Sequence, residues 1–260
     1  MAMTELLQVS GLGKRFGGVQ AVADVSFALR RGEVLALIGP NGAGKSTTFN
    51  MLNGQLKADS GTVQLNGVEL VGKLPRDIWR LGVGRTFQIA ETFVSLTVVE
   101  NVQMALLSHA NRLFALWQPA RQFQPADALA LLALVGMADQ ADRPCSELAY
   151  GDVKRVELAI AIANNPALLL MDEPTAGMAP AERHQLMALT QRLARERNMA
   201  VLFTEHSMDV VFAYADRIIV LARGRLIAEG TPDEVRHDAE VQAVYLGTGA
   251  TYATTDKAPK

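Results

Sequence analysis

Short apolar runs punctuated by glycine and charge occupy the first third of the chain. Leu6–Leu12 and Asp24–Leu29 predict short strands. After the turn Arg30-Arg31-Gly32-Glu33, the wholly apolar Val34–Ile38 predicts another strand. A glycine-rich loop comes next, and a helical pattern opens at Lys45. Ser60-Gly61 then turns into the strand Thr62–Leu65. In the middle the period lengthens. Thr97 with Glu100 makes a capping box, and Val98, Val102, Ala105 and Leu106 follow on one helical face. Gln118–Gln124 is a polar, proline-containing break, and Asp127–Val135 and Gly151–Ala163 resume the helical spacing. Leu168–Met171 is too short for a helix and apolar throughout, as are Met199–Phe203 and Ile218–Leu221, so these read as strands buried on both faces. Arg223-Gly224 turns into Arg225–Ala228, and Thr231-Pro232-Asp233-Glu234 is a second capping box with proline in the first turn. Strands early, helices in the middle and alternation at the end predict a mixed α/β fold with small antiparallel elements near the N-terminus.

Composition narrows the class. A length of 260 residues suits one or two domains, and 49% apolar residues suit an ordinary globular core. The 25 basic against 27 acidic residues leave no excess for coating nucleic acid, so no nucleic-acid partner is expected. A single cysteine, Cys145, excludes an internal disulfide and a cysteine-built zinc or iron–sulfur site, and reads as an idle thiol of a reducing compartment. No apolar run approaches 18 residues, and Met1–Leu7 lacks the basic start of a secretory signal. The chain is expected to form one unit over residues 1–247, with a small, polar, disordered tail over 248–260.

The chemistry concentrates in two strings. Gly39-Pro40-Asn41-Gly42-Ala43-Gly44-Lys45-Ser46 matches the phosphate-binding pattern G-x-x-x-x-G-K-[ST]. Its glycines let successive backbone N–H groups point at a polyphosphate, and the following helix presents its positive end. Lys45 would reach the β- and γ-phosphates, and Ser46 would ligate Mg²⁺. A strand before and a helix after give the motif its expected context. The second string, Leu168-Leu169-Leu170-Met171-Asp172-Glu173, ends a buried strand in two carboxylates. Such a strand end is where P-loop enzymes hold Mg²⁺, which makes Asp172 a metal acid and Glu173 a candidate general base for water. No N-K-x-D guanine reader is present, which argues against a GTPase. Arg183, Arg192, Arg195 and Arg197 fall on one predicted helix and read as a solvated face rather than a kinase lid.

Taken in order over Leu6–Gly247, these strings resemble the nucleotide-binding subunit of an ABC transporter. The resemblance implies a P-loop NTPase (RecA-like) α/β core, an antiparallel β subdomain and a helical subdomain over about residues 89–151. It implies ATP and Mg²⁺ as cofactors, with ATP held by Phe16 and by the loop from Gly39, Pro40, Asn41, Gly42, Ala43 and Gly44 to Lys45, Ser46 and Thr47. Phe16 looks like the aromatic that stacks on adenine. Gln88, in Arg85-Thr86-Phe87-Gln88, looks like the glutamine that senses Mg²⁺ and the γ-phosphate. His206, in Thr204-Glu205-His206, looks like the switch histidine. Taken singly, Phe16 would be read as core, Gln88 as uninformative and His206 as a strand-end residue; their order and spacing give them roles. His109, His184 and His237 are assigned none.

The family's partner-facing motifs are altered here. Leu148-Ala149-Tyr150-Gly151-Asp152 stands where L-S-G-G-Q is usual, and Ala179 stands where an aspartate is usual. Ala149 cannot donate a hydroxyl to a partner's γ-phosphate, Asp152 adds a negative charge, and Gly151 remains. The resemblance implies a second ABC ATPase, two transmembrane permease subunits and an upstream periplasmic binding protein, with this chain peripheral on the cytoplasmic face of the inner membrane. The altered motifs favour a heterodimer over a homodimer. Gly84-Arg85-Thr86-Phe87-Gln88, the stretch Phe93–Ala105, extra residues near Ala110–Pro125 and Val244-Tyr245-Leu246-Gly247 are most similar to importers of branched-chain amino acids. Rival readings are a urea, amide or lipid transporter, a soluble non-transport ABC ATPase, and an inert ATP-binding module.

Overall fold

In a computed structural model of the protein, residues 5–86, 92–110 and 123–246 are described. The predicted tail, and Gln88, lie outside the described residues. Strands β1 (Glu5–Phe16), β2 (Val19–Arg30) and β3 (Val34–Ile38) precede helix α1 (Lys45–Leu52). Then come β4 (Ser60–Leu65), β5 (Val68–Glu69), α2 (Pro75–Arg80) and β6 (Val83–Thr86). Three helices follow: α3 (Val98–His109), α4 (Pro125–Leu134) and α5 (Tyr150–Ala161). The chain continues through β7 (Leu168–Asp172), α6 (Pro180–Glu196), β8 (Ala200–Thr204), α7 (Met208–Tyr214), β9 (Arg217–Ala222), β10 (Arg225–Gly230), α8 (Pro232–His237) and α9 (Ala239–Leu246).

Among the described residues the strands form two sheets. One is antiparallel, in the order β2-β1-β4-β5. The other runs β10-β9-β3-β8-β7-β6, parallel from β9 to β6, with β10 antiparallel at one edge. Its central strands are apolar because both faces are covered, except that β7 ends in Asp172 and β8 in Thr204. Val34, Ala36 and Ile38 of β3 join Leu169 and Met171 of β7 and Val201 and Phe203 of β8 in the core beneath the helices. Their neighbours Leu35, Leu37, Leu168, Leu170 and Leu202 pack on the opposite face with β1, β2 and α1.

The first two strands run further than their hydrophobic pattern predicts. Register shifts interrupt the β1–β2 ladder, and Gly11 and Asp24 take φ values of 61° and 58° beside them. Each bulge resets the alternation, so the exposed ends, with Arg15 facing Gln20 and Phe16 facing Val19, look like loop in the sequence. The capping boxes form as predicted. Glu100 accepts from the Thr97 N–H at 2.8 Å, and Glu234 accepts from the Thr231 N–H at 2.7 Å. Helices α3 and α4 fall within the region predicted to be helical, and residues 87–91 and 111–122 lie outside the described ones.

Candidate functional site

The carboxyl ends of β3, β8 and β7 lie side by side in the parallel sheet; the chain leaves β3 into α1 on one face and leaves β8 into α7 on the other. Ligands of open α/β sheets bind at such a switch of faces. The loop after β3 carries Gly39 to Gly44, and α1 starts at Lys45. Gly44 has φ 103°, and a Cβ there would lie 2.6 Å from the Ala21 carbonyl oxygen of β2. A Cβ on Gly39 would lie 2.2 Å from the Leu221 carbonyl oxygen. Both positions therefore admit only glycine while the loop keeps this path. The Gly224 N–H, in the turn after β9, donates to the Ala43 carbonyl and clamps the loop from outside. Ser46 is exposed at the start of α1, and Thr47 beside it is half-buried.

Lys45 is buried, and its Nζ donates to the Gly39 carbonyl at 2.7 Å and the Pro40 carbonyl at 3.2 Å. Burial holds the Lys45 ammonium below the ordinary lysine pKa, and the carboxylates of Glu173 and Asp172 oppose that shift. Lys45 thus shares its electrostatic surroundings with the two acids that end β7. Thr204, the last residue of β8, donates its hydroxyl to Asp172 Oδ1 at 2.7 Å. The Glu173 N–H donates to the same Thr204 hydroxyl at 3.0 Å and to the Thr204 carbonyl at 3.2 Å. Glu173 sits in the left-handed region with φ 48°, which turns its side chain sharply off the strand. With Nε2 protonated, His206 donates to Glu173 Oε1 across 2.8 Å.

Phe16 ends β1 and is 49% exposed, five residues ahead of Ala21, whose carbonyl crowds Gly44. The Lys14 ammonium lies 5.7 Å from its ring centroid. The sequence pattern marks out no role for Arg85, yet its guanidinium stands 4.0 Å from Asp172 Oδ2 and 3.4 Å from Asn50 Oδ1. The Arg183 reading needs correction. Its Nε donates to the Met178 carbonyl and its Nη1 to the Ser207 hydroxyl, at 2.8 and 2.9 Å, so it braces two loops instead of forming a solvated face. At about 100° per residue Arg183 lies half a turn round the helix from the exposed Arg192, so the helical period already sets it on a different face.

The altered signature starts α5. Ala149 is the N-cap and supplies no side-chain hydrogen bond, where serine would offer one. Tyr150 lies against Gly177 and beneath the Lys154 ammonium, 5.8 Å from its ring centroid. The Glu182 carboxyl carbon lies 3.1 Å from where a Gly151 Cβ would be, and Glu182 Oε2 accepts from the Ala179 N–H at 3.3 Å. A carboxylate therefore stands beside the helix N-terminus, and Asp152 adds another in its first turn.

A glycine loop with a buried lysine, an acid pair and a histidine converging at a parallel sheet edge define a P-loop ATPase. The residues between 22 and 176 match the family described as ABC transporter, and residues 225–251 match the family described as Branched-chain amino acid ATP-binding cassette transporter. The chain belongs to the ABC transporter family. It is 41% identical over 249 residues to the High-affinity branched-chain amino acid transport ATP-binding protein LivG of Salmonella typhimurium, covering 93% of this chain and 98% of that protein. It is 34% identical over 252 residues to the Probable branched-chain amino acid transport ATP-binding protein LivG of Methanocaldococcus jannaschii, covering 94% and 98%. The crystal structure of the ADP conformation of MJ1267, an ATP-binding cassette of an ABC transporter, superposes with a TM-score of 0.85 at 34% identity, covering 94% of this chain and 99% of that one.

Proposed function

We propose that this chain is the ATP-hydrolysing subunit of an importer of branched-chain or related amino acids, working on the cytoplasmic face of the inner membrane. The observation that carries the reading is the convergence of Lys45, Asp172, Glu173 and His206 on one sheet edge, in a chain that matches LivG proteins over nearly their whole length. Among the described residues no helix is long and apolar enough to cross a membrane; as the ATPase of an ABC importer, the chain would work with transmembrane permease subunits. An apolar groove of about 410 Å³, lined by Ile78, Trp79, Val83, Ala105 and Ile160, offers them a docking surface. Arg85 lies both in that groove and beside Asp172. A periplasmic binding protein would deliver the solute from the far side. Reconstitution with the permeases in proteoliposomes tests the proposal: ATP-dependent uptake of labelled leucine, isoleucine or valine supports it. ATP turnover that stays the same with and without those solutes, and drives no uptake, overturns it.

In this reading the loop from Gly39 to Thr47 wraps the phosphates, Lys45 neutralises them, and Glu173 takes a proton from the attacking water while His206 orients it. Ser46 and Asp172 supply a hydroxyl and a carboxylate, the hard oxygen donors that suit Mg²⁺. When bound, the ion would neutralise developing charge on the phosphates. Gln88 joins them by the family resemblance. Phe16 would stack on adenine with no polar handle. Phe16→Ala is expected to weaken ATP binding by about 1 kcal/mol, and the wild type is expected to use GTP within about tenfold of ATP, because stacking reads either purine. Titration with a fluorescent nucleotide checks both, and unchanged affinity in Phe16→Ala would remove the stacking role.

The side presented to a partner's ATP is weaker. Ala149 offers no hydroxyl, Ala179 no carboxylate, and Glu182 with Asp152 puts negative charge at the helix N-terminus that would face a γ-phosphate. We therefore infer a heterodimer with a second ABC ATPase and two unequal sites. The faster site would join this chain's P-loop to the partner's signature. In the reconstituted complex, Glu173→Gln should cost clearly more turnover than the matching change in the partner. Equal losses, or full transport by a homodimer of this chain, would rule the asymmetry out.

A further inference from the structure

Glu205 has no part in the chemistry described so far. It follows the apolar strand β8, is only 4% exposed, and its carboxylate meets donors on both oxygens. Oε1 accepts from the Thr175 N–H at 2.9 Å and from the Thr175 hydroxyl at 2.5 Å. Oε2 accepts from the His206 N–H at 3.0 Å and from the Ser207 N–H at 3.4 Å. Thr175 belongs to the loop that leaves β7 with Glu173, and His206 opens the loop that leaves β8. One side chain therefore joins the loop of the candidate base to the loop of the candidate switch histidine. Arg183 spans the same gap from α6, donating to Met178 and Ser207. The contact between His206 and Glu173, at 2.8 Å, lies over this double brace.

We propose that Glu205 is a positioning residue of the hydrolytic site, fixing the distance between Glu173 and His206 by binding both loops at once. This rests on the ATPase reading above. A carboxylate is required because both oxygens must accept. An amide keeps one oxygen. Turned one way, its NH₂ faces the N–H groups of His206 and Ser207; turned the other way, it faces the N–H of Thr175. Either orientation sets at least one backbone N–H against an NH₂ group and weakens the tie to that loop, even where the Thr175 hydroxyl turns to accept. The loosened loop would leave the triphosphate contacts of Lys45 and the glycine loop in place and misplace the groups that act on water.

The test is a kinetic cycle in the intact transporter complex with E205Q, H206A and the double variant. E205Q is expected to lower kcat about 10–100-fold, the scale of a misplaced catalytic group, with ATP affinity within about threefold of wild type. In the H206A background the same change should cost less than about twofold, because the distance it fixes then has no histidine at its far end, while Glu173 stays held to Thr204 through its own N–H. An equal loss in both backgrounds marks a merely structural residue and overturns the proposal, as does an E205Q enzyme with wild-type kcat. Should E205Q fail to fold, T175V carries the test. It keeps the N–H, loses the hydroxyl, and should lower kcat by a smaller factor that again vanishes in H206A; a factor that persists there overturns the proposal. Wild-type turnover in both H206A and E173Q would instead defeat the site reading itself, a result distinct from failure of the brace.

Discussion

Replacing Glu173 by glutamine is expected to lower ATP turnover by about 10²–10⁴ while leaving ATP bound, since the amide keeps the shape and cannot take a proton. The structure gives this expectation a physical basis. Glu173 leaves the strand in a left-handed conformation and is held by two bonds from its own N–H to Thr204. Those bonds use the backbone, so they survive the substitution. The side chain points where His206 can meet it at 2.8 Å, and a glutamine carbonyl can still accept from that ring. Binding and loop geometry should therefore persist, and the loss should fall on kcat. Equilibrium binding of a labelled nucleotide beside a steady-state phosphate-release assay separates the two. Turnover near that of the wild type would remove Glu173 from the role of base.

The parts of this site that were legible in the sequence are those built from neighbours along the chain. The glycine loop announces itself because its spacing and its flanking strand and helix lie within one short stretch. The acid pair is legible because an all-apolar run ends in it. The brace was not legible. Glu205 meets Thr175 across 30 positions, Arg183 meets Ser207 across 24, and Arg85 meets Asp172 across two parallel strands. Each looks like an ordinary surface charge until the strand order is known. One signal was available for Glu205: it directly follows a strand buried on both faces, and if buried there its carboxylate must find donors. The hairpin ends of β1 and β2 were hidden for a different reason, because bulges at Gly11 and Asp24 break the alternation that reveals a strand. The short edge strand β6 and helix α2 carry too few residues for any period to show.

Lys45→Met is expected to separate stability from binding in opposite directions. Desolvation holds the Lys45 ammonium below its ordinary pKa, so the unliganded fold carries this charge at a cost. Methionine keeps the apolar stem and removes the charge, so the melting temperature without nucleotide should hold or rise. ATP should then give no further rise, because two charge-assisted hydrogen bonds to phosphate, each worth about 1.5–3 kcal/mol, are lost together, a factor of about 10²–10⁴ in affinity. The same reasoning fixes the sign of the pH dependence. Between the lowered pKa of Lys45 in the fold and the ordinary value of 10.5, the unfolded chain binds more protons than the folded one. Lys45 therefore adds stability to the unliganded protein as pH rises through that window. Phosphate prefers the ammonium form, so ATP affinity should fall over the same window in the wild type and stay level in Lys45→Met. Thermal melts with and without nucleotide across a pH series read both trends at once. A variant that melts well below the wild type without nucleotide would show that the bonds to the Gly39 and Pro40 carbonyls outweigh the desolvation of the charge. A variant that still gains stability from ATP would show that the glycine loop binds the triphosphate without its lysine.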